Sequence, residues 1–328
     1  MSVATRSETG HPSAARVAAA FAALYIVWGS TYLAIRVMVH DIPPFIAGAA
    51  RHLAAGAVLY AWARSRGAAQ PTLAQWKVAA VVGGLLLGVG NGAVNWAEQY
   101  VPSGLASLMV SSVTIWMVFA DWVRPNGVRP SARTVTGLLL GSIGLVALVL
   151  SAGGLGARTS STASILLGSA ALLVGSMSWA GGSIYARQTP RHSHSGLATA
   201  MEMLAGGATL ALASVLTGDA FRLQIQTVSM QSWLALAYLV VFGSLVGFSS
   251  YTWLLRVSTP AKVVTYAYVN PIVAVALGWA FAGERLSAGM LGAAAVLLSA
   301  VALITLPPAV AAALRRRLVY RSFRNPAR

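Results

Sequence analysis

The chain is 328 residues long, 57% apolar and only 9% charged, with a formal net charge of +16 and no cysteine. A soluble domain carries charge on about a quarter of its residues, so a chain this long with so few has no aqueous surface to cover and reads as dissolved in lipid. The missing cysteines exclude disulfides, thiolate metal sites and thiol catalysis. The positive charge lies between apolar segments and in the C-terminal tail, which marks orientation in a membrane rather than a nucleic-acid surface.

Ten apolar segments follow in chain order, at about 17–36, 44–63, 77–98, 103–122, 134–151, 163–186, 197–217, 232–254, 260–281 and 288–306. Each is about 20 residues, or about 30 Å of helix, the thickness of a hydrocarbon core. The first run, Val17 to Arg36, exceeds the apolar core of a signal peptide and is expected to be retained. Several segments open on proline, at Pro43-Pro44, Pro102 and Pro260, where its missing N–H would be unpaired anyway. Between these segments the Lys and Arg residues alternate. With a cytoplasmic N-terminus, 18 fall on the inner side and only Arg36, Arg158, Arg222 and Arg285 on the outer. Both termini are therefore expected in the cytoplasm.

The chain also repeats itself. At an offset of 151, Trp28, Arg36, Leu53, Gly56 and Ala57 fall on Trp179, Arg187, Leu204, Gly207 and Ala208. The match resumes with Trp76 on Trp233, Gly90 on Gly247 and Trp96 on Trp253 at 157. It continues with Val113 on Val269 and Gly127 on Gly283 at 156. Five helices per half is an odd number, so the second half must enter the membrane from the opposite side. The expected fold is thus an all-α polytopic membrane protein, ten transmembrane helices as two inverted five-helix repeats. Its parts are an N-terminal tail (1–16), a first repeat (17–151), a connecting loop (152–162), a second repeat (163–306) and a basic tail (307–328). Such repeats commonly build secondary transporters, with the substrate near the midplane between the halves.

Trp28-Gly29-Ser30-Thr31-Tyr32, Arg51 in the second helix, Val101-Pro102-Ser103-Gly104 and Ser258-Thr259-Pro260-Ala261 give the chain a recognisable pattern. Tyr266-Ala267-Tyr268-Val269-Asn270-Pro271 and Gly283-Glu284-Arg285-Leu286-Ser287 complete it. With two halves of five helices it resembles the EamA family of the drug/metabolite transporter superfamily over about residues 17–306, and in particular the family's bacterial inner-membrane exporters. The first half departs from the pattern, reading Gly127-Val128-Arg129-Pro130-Ser131 without the acid of Glu284. The resemblance implies an inner-membrane exporter of metabolites or drug-like compounds working by alternating access.

Ionisable residues inside apolar helices cost roughly 2.5–3.5 kcal/mol each on insertion scales, so the few present are functional candidates. Arg51 and Glu202 occupy equivalent repeat positions and should sit at opposite depths. Depth instead pairs Arg51 with Glu98 and Glu202 with Arg256, as two ion-pair gates or as structural neutralising pairs. A polar, aromatic cavity is expected from Trp28, Ser30 and Thr31, from Asn91 and Asn95 on one helical face, and from Ser112, Trp116, Trp179, Trp253, Tyr266, Tyr268 and Asn270. Pro271 predicts a kink that frees carbonyls near Tyr268 and Asn270. With no acid and no Lys or Arg visible near its middle, such a cavity suits neutral, zwitterionic or amphipathic solutes. Glu98, Glu202 and His52 are the groups able to carry a proton as coupling ion. No cofactor, metal or nucleic acid is expected, the lipid bilayer is the surrounding partner, and a homodimer is compatible with the bundle. Gly247-Phe248-Ser249 with His52 would be the only hydrolase-like pairing, and a non-transporting scaffold the other alternative. Neither accounts for polar faces on matching helices.

Overall fold

The computed structural model describes residues 13–101, 106, 109–151, 162–282 and 287–306. All of the expected loop at 152–162 except Thr162, which begins a helix, lies outside the described residues, as do the Pro102-Ser103-Gly104 and Gly283–Leu286 motifs and the tails before 13 and after 306. Everything regular within them is helical. In chain order the helices are α1 (Ala14–Asp41), α2 (Pro44–Ser65), α3 (Leu73–Ala97), α4 (Val113–Val123), α5 (Ala132–Ser151), α6 (Thr162–Gln188) and α7 (Ser195–Leu216). There follow α8 (Met230–Val257), α9 (Tyr266–Ala282), entered through a short turn at Pro260–Val263, and α10 (Ala288–Thr305). Seven stretches, namely α1, α3, α6, α7, α8, Pro260–Leu277 and α10, are long and apolar enough to cross a membrane. Leu33, Leu139, Ile143, Leu166 and Leu212 stand exposed on their outer faces, as lipid-facing side chains do.

Local chemistry sets the helix ends. Pro44 begins α2 at the position where a missing N–H is harmless. Thr72 and Gln75 cap α3 reciprocally, backbone to side chain at 3.3 and 2.9 Å. Two acids reach across the molecule. Asp219 Oδ2 accepts from the Phe45 N–H at the start of α2 (3.0 Å), and Asp41 Oδ2 accepts from the Ser229 N–H (3.0 Å) and Ser232 Oγ (2.8 Å) at the start of α8. Each places a negative charge on the other half's helix N-terminus, where the dipole favours it.

The packing is reciprocal. α2 lies against α7 and α5 against α10, while α1 meets α8 and α9 as α6 meets α3 and α4. A Cβ added to Gly56 would come within 2.9 Å of Leu204 Cγ, and one added to Gly207 within 2.8 Å of Leu53 Cγ. Likewise Gly90 lies under Trp179 and Gly247 under Trp28. These contacts are reciprocal between the two halves that match the same offsets in sequence. Small residues are what let such helices approach without a hydrophobic drive from water.

Two π-helical stretches interrupt the middle helices, Gly84–Asn91 in α3 and Leu239–Phe248 in α8. They occupy matching positions at the offset of 157, and both border the central hollow. π-helix is rare and concentrates at functional sites, so its appearance twice at the same place is part of the duplicated design.

Pro271 stays inside a continuous α9. The carbonyl it leaves without its helical donor is that of Ala267, four residues back and next to Tyr268. Ser111 Oγ donates to it at 2.9 Å from just before α4.

Candidate functional site: a polar and aromatic hollow

A cavity of about 80 Å³ lies between α1, α2, α3, α4, α6, α8 and α9. That is room for a few water molecules. Its aromatic wall is built around the two repeat-related tryptophans. Trp28 and Trp179 meet edge to face with centroids 5.6 Å apart, and Tyr266 and Tyr251 close on Trp28 at 4.9 and 5.2 Å. Edge-to-face contact aligns ring edges with π faces and holds the cluster in one geometry. Each indole N–H is spent: Trp28 Nε1 donates to Gly243 O at 3.1 Å and Trp179 Nε1 to Tyr251 Oη at 2.8 Å. A Cβ at Gly243 would sit 2.7 Å from Arg51 Nη2, so the glycine is what lets the guanidinium lie this close to α8.

The polar wall is a relay across the two halves. Arg51 Nε donates to Ser244 Oγ at 2.8 Å, and Ser244 Oγ lies 3.5 Å from His52 Nδ1. His52 Nε2 lies 3.3 Å from Asn91 Oδ1. Because Ser244 accepts from Arg51, its own hydrogen is free for Nδ1, which assigns the His52 proton to Nε2 and its donation to Asn91. His52 is thus engaged away from Ser249, and the hydrolase-like pairing is not formed. Asn270, oriented with Nδ2 toward two carbonyls, donates to Tyr266 O at 3.0 Å and Tyr25 O at 3.2 Å, tying α9 to α1.

Of the residues expected in the cavity, Trp28, Thr31, Asn91, Trp179, Tyr266 and Asn270 border it. Six others do not. Ser30 bonds to Val27 O and Tyr238 Oη, and Ser112 to Met109 O. Asn95 shares the α2-facing side of α3 with Asn91, yet packs on Gly48 and reaches Pro44 O at 3.4 Å. Trp116 packs with Phe119, and Tyr268 wedges against Gly141, receiving Thr114 and donating to Leu138 O. Trp253 lies beneath the Arg16 guanidinium at 6.0 Å. Two residues earlier on α8, Tyr251 packs against Trp28 and Trp179 behind the cavity wall, since positions two apart point about 200° from each other. Tyr251 stands one turn from Gly247, and that spacing was its signal in the sequence.

The ion pairs also differ from expectation. Glu202 is bridged by Arg191 at 3.1 Å with both side chains buried, while Arg256, the expected partner, stands exposed. The chain reverses between α6 and α7 and lays Arg191 back onto α7, a proximity that depth along the helices does not reveal. Both members of this bridge belong to the second half. Arg51 does not pair with Glu98. It borders the cavity, so the hollow holds a cation where none was expected.

A model of the EamA-like transporter family matches residues 16–150 and again 166–306. The chain belongs to this family. It is 39% identical over 285 residues to the inner membrane transporter YedA of Escherichia coli (strain K12), covering 87% of this chain and 89% of that one. It is 25% identical over 290 residues to the transporter YvbV of Bacillus subtilis (strain 168), covering 88% and 91%. A crystal structure of a protein with 22% identity superposes with a TM-score of 0.72 over 93% of this chain and 99% of that one, which shows a shared fold. A membrane transporter of the EamA family is therefore the class to which the hollow belongs.

Proposed function

We propose that the chain is a secondary transporter of the inner membrane, with both termini cytoplasmic, which exports small zwitterionic, neutral or amphipathic solutes. Its two halves work as inverted repeats that expose the hollow alternately to either side. The observation that carries this reading is that the hollow sits where repeat-related residues meet. Trp28 and Trp179 touch at its wall, and the two matching π-helical stretches flank it. A frame related to itself by a two-fold supports two mirror-like arrangements of nearly equal energy, which is what alternating access needs. The inner-membrane name of YedA and the apolar span-length helices support the location. Proteoliposomes holding the full chain, loaded with a panel of amino acids and amphipathic amines with and without a pH gradient, test it. Flux of at least one solute above protein-free vesicles is expected. Flux equal to protein-free vesicles across the panel would refute transport.

A further inference from the structure

Arg51 is buried, with 4% of its surface exposed, and it borders the hollow. A guanidinium carries five N–H donors. Among the described residues only the Nε–H has a hydrogen-bond partner, Ser244 Oγ, and Nη1 is buried with none. No salt bridge to Arg51 occurs among those residues. A buried cation without a counter-charge is costly, and the contrast with its neighbours is specific: Glu202 has Arg191 as its counter-charge, and both indole N–H groups of the aromatic wall are bonded.

We propose that Arg51 is the anchor for a carboxylate on the transported solute, whose apolar part lies against the Trp28, Trp179 and Tyr266 rings once the hollow widens beyond its present volume of about 80 Å³. The proposal deepens the transport reading and rests on it only in calling the ligand a transported solute. A planar carboxylate matches the fork of the two Nη groups. Of the hollow's lining residues only Arg51 is a permanent cation, and His52 already spends both nitrogens in the relay. A dianionic phosphate would be left with one positive partner in a low-dielectric site, which favours a single carboxylate. The remaining walls are aromatic and aliphatic, apart from Thr31, Asn91, Ser176 and Asn270. The ligand class is therefore a monocarboxylate or amino acid with an aromatic or branched apolar body. Ser244 and His52 act as positioning residues, holding Arg51 toward the hollow through Nε.

The test compares matched acids and amides on the purified full chain: indole-3-acetate with indole-3-acetamide, 3-phenylpropionate with its amide, and N-acetyl-phenylalanine with its amide. Binding is read by intrinsic tryptophan fluorescence and by thermal shift. The parent should bind acids roughly ten- to hundredfold more tightly than amides, the range expected for a charge-assisted hydrogen bond. Arg51→Gln should reduce that preference to below about twofold while leaving amide binding in place, and Arg51→Lys should keep part of it. Should Arg51→Gln fail to fold, the Arg51→Lys preference and competition by inorganic phosphate still decide. Equal binding of acids and amides by the parent, no binding of any acid, full preference in Arg51→Lys, or displacement by phosphate in preference to benzoate each overturns the proposal. Vesicle flux of the same panel separates the two readings. Flux of amides or amines without acid preference sinks the anchor and leaves transport standing. Acid-selective binding with no flux of any compound does the reverse.

Discussion

The Arg191–Glu202 bridge offers a sharp test of how charge is managed in this bundle. Glu202 is 1% exposed and Arg191 7%, with 3.1 Å between Nη1 and Oε1. At an effective dielectric constant of about 20, unit charges at that separation attract by about 5 kcal/mol. Replacing Arg191 with Met removes that attraction while leaving the carboxylate in place, so Arg191→Met should cost about 3–5 kcal/mol. Adding Glu202→Gln should recover most of the loss, since an amide buried there no longer needs a counter-charge. Arg256→Met is the control: that side chain is exposed, and its attraction to Glu202 is screened, so a loss below about 1 kcal/mol is expected. Thermal unfolding in detergent, followed by the emission of the ten tryptophans, reports all four proteins. If Arg191→Met is as stable as the parent, or Arg256→Met costs as much, the bridge is not what neutralises Glu202.

Three further outcomes are expected. Gly56→Val and Gly207→Val should each destabilise by about 1–3 kcal/mol and by similar amounts, because each forces a side chain into its counterpart's leucine; a large inequality in their unfolding midpoints would break the two-fold equivalence. Ser111→Ala should cost about 1–3 kcal/mol by stranding the Ala267 carbonyl, and Pro271→Ala in that background should restore much of it by returning an N–H; failure of the rescue would mean that Ser111 stabilises through other contacts. Because the chain has no cysteine, Ser2→Cys and Ala327→Cys report alone. An impermeant maleimide should label both only in inverted vesicles, and labelling from opposite sides would undo the five-plus-five arithmetic.

What the sequence made legible follows from what lipid demands of it. The all-helical character was readable because every backbone polar group must be satisfied within a helix of about 20 residues, and seven of the described helical stretches are long and apolar enough to span. The identical Trp and Gly pairs were readable because close packing between the halves admits few substitutes, and Gly90 under Trp179 with Gly247 under Trp28 shows why those pairs persist in both halves. Charge partners were not. Assigning Arg256 to Glu202 used depth along helices, whereas the partner comes from a chain reversal whose geometry no periodicity encodes. The π-helical stretches were equally hidden, since a change from i+4 to i+5 bonding leaves composition untouched.

The duplicated frame and the hollow's chemistry differ in symmetry, and the difference has a mechanical consequence. Positions 51 and 202 are equivalent in the repeat, yet one is an arginine at the cavity wall and the other a glutamate neutralised within its own half. The frame therefore repeats while the charge does not. The one hydrogen bond of Arg51 crosses from α2 of the first half to Ser244 in the π-helical stretch of α8 in the second. Any rocking that parts α2 from α8 strips the guanidinium of that bond unless another acceptor arrives. On the proposed alternating access with a carboxylate at Arg51, an anionic group in the hollow would lower the cost of that motion and an empty hollow would not, so occupancy and movement would be coupled through a single side chain.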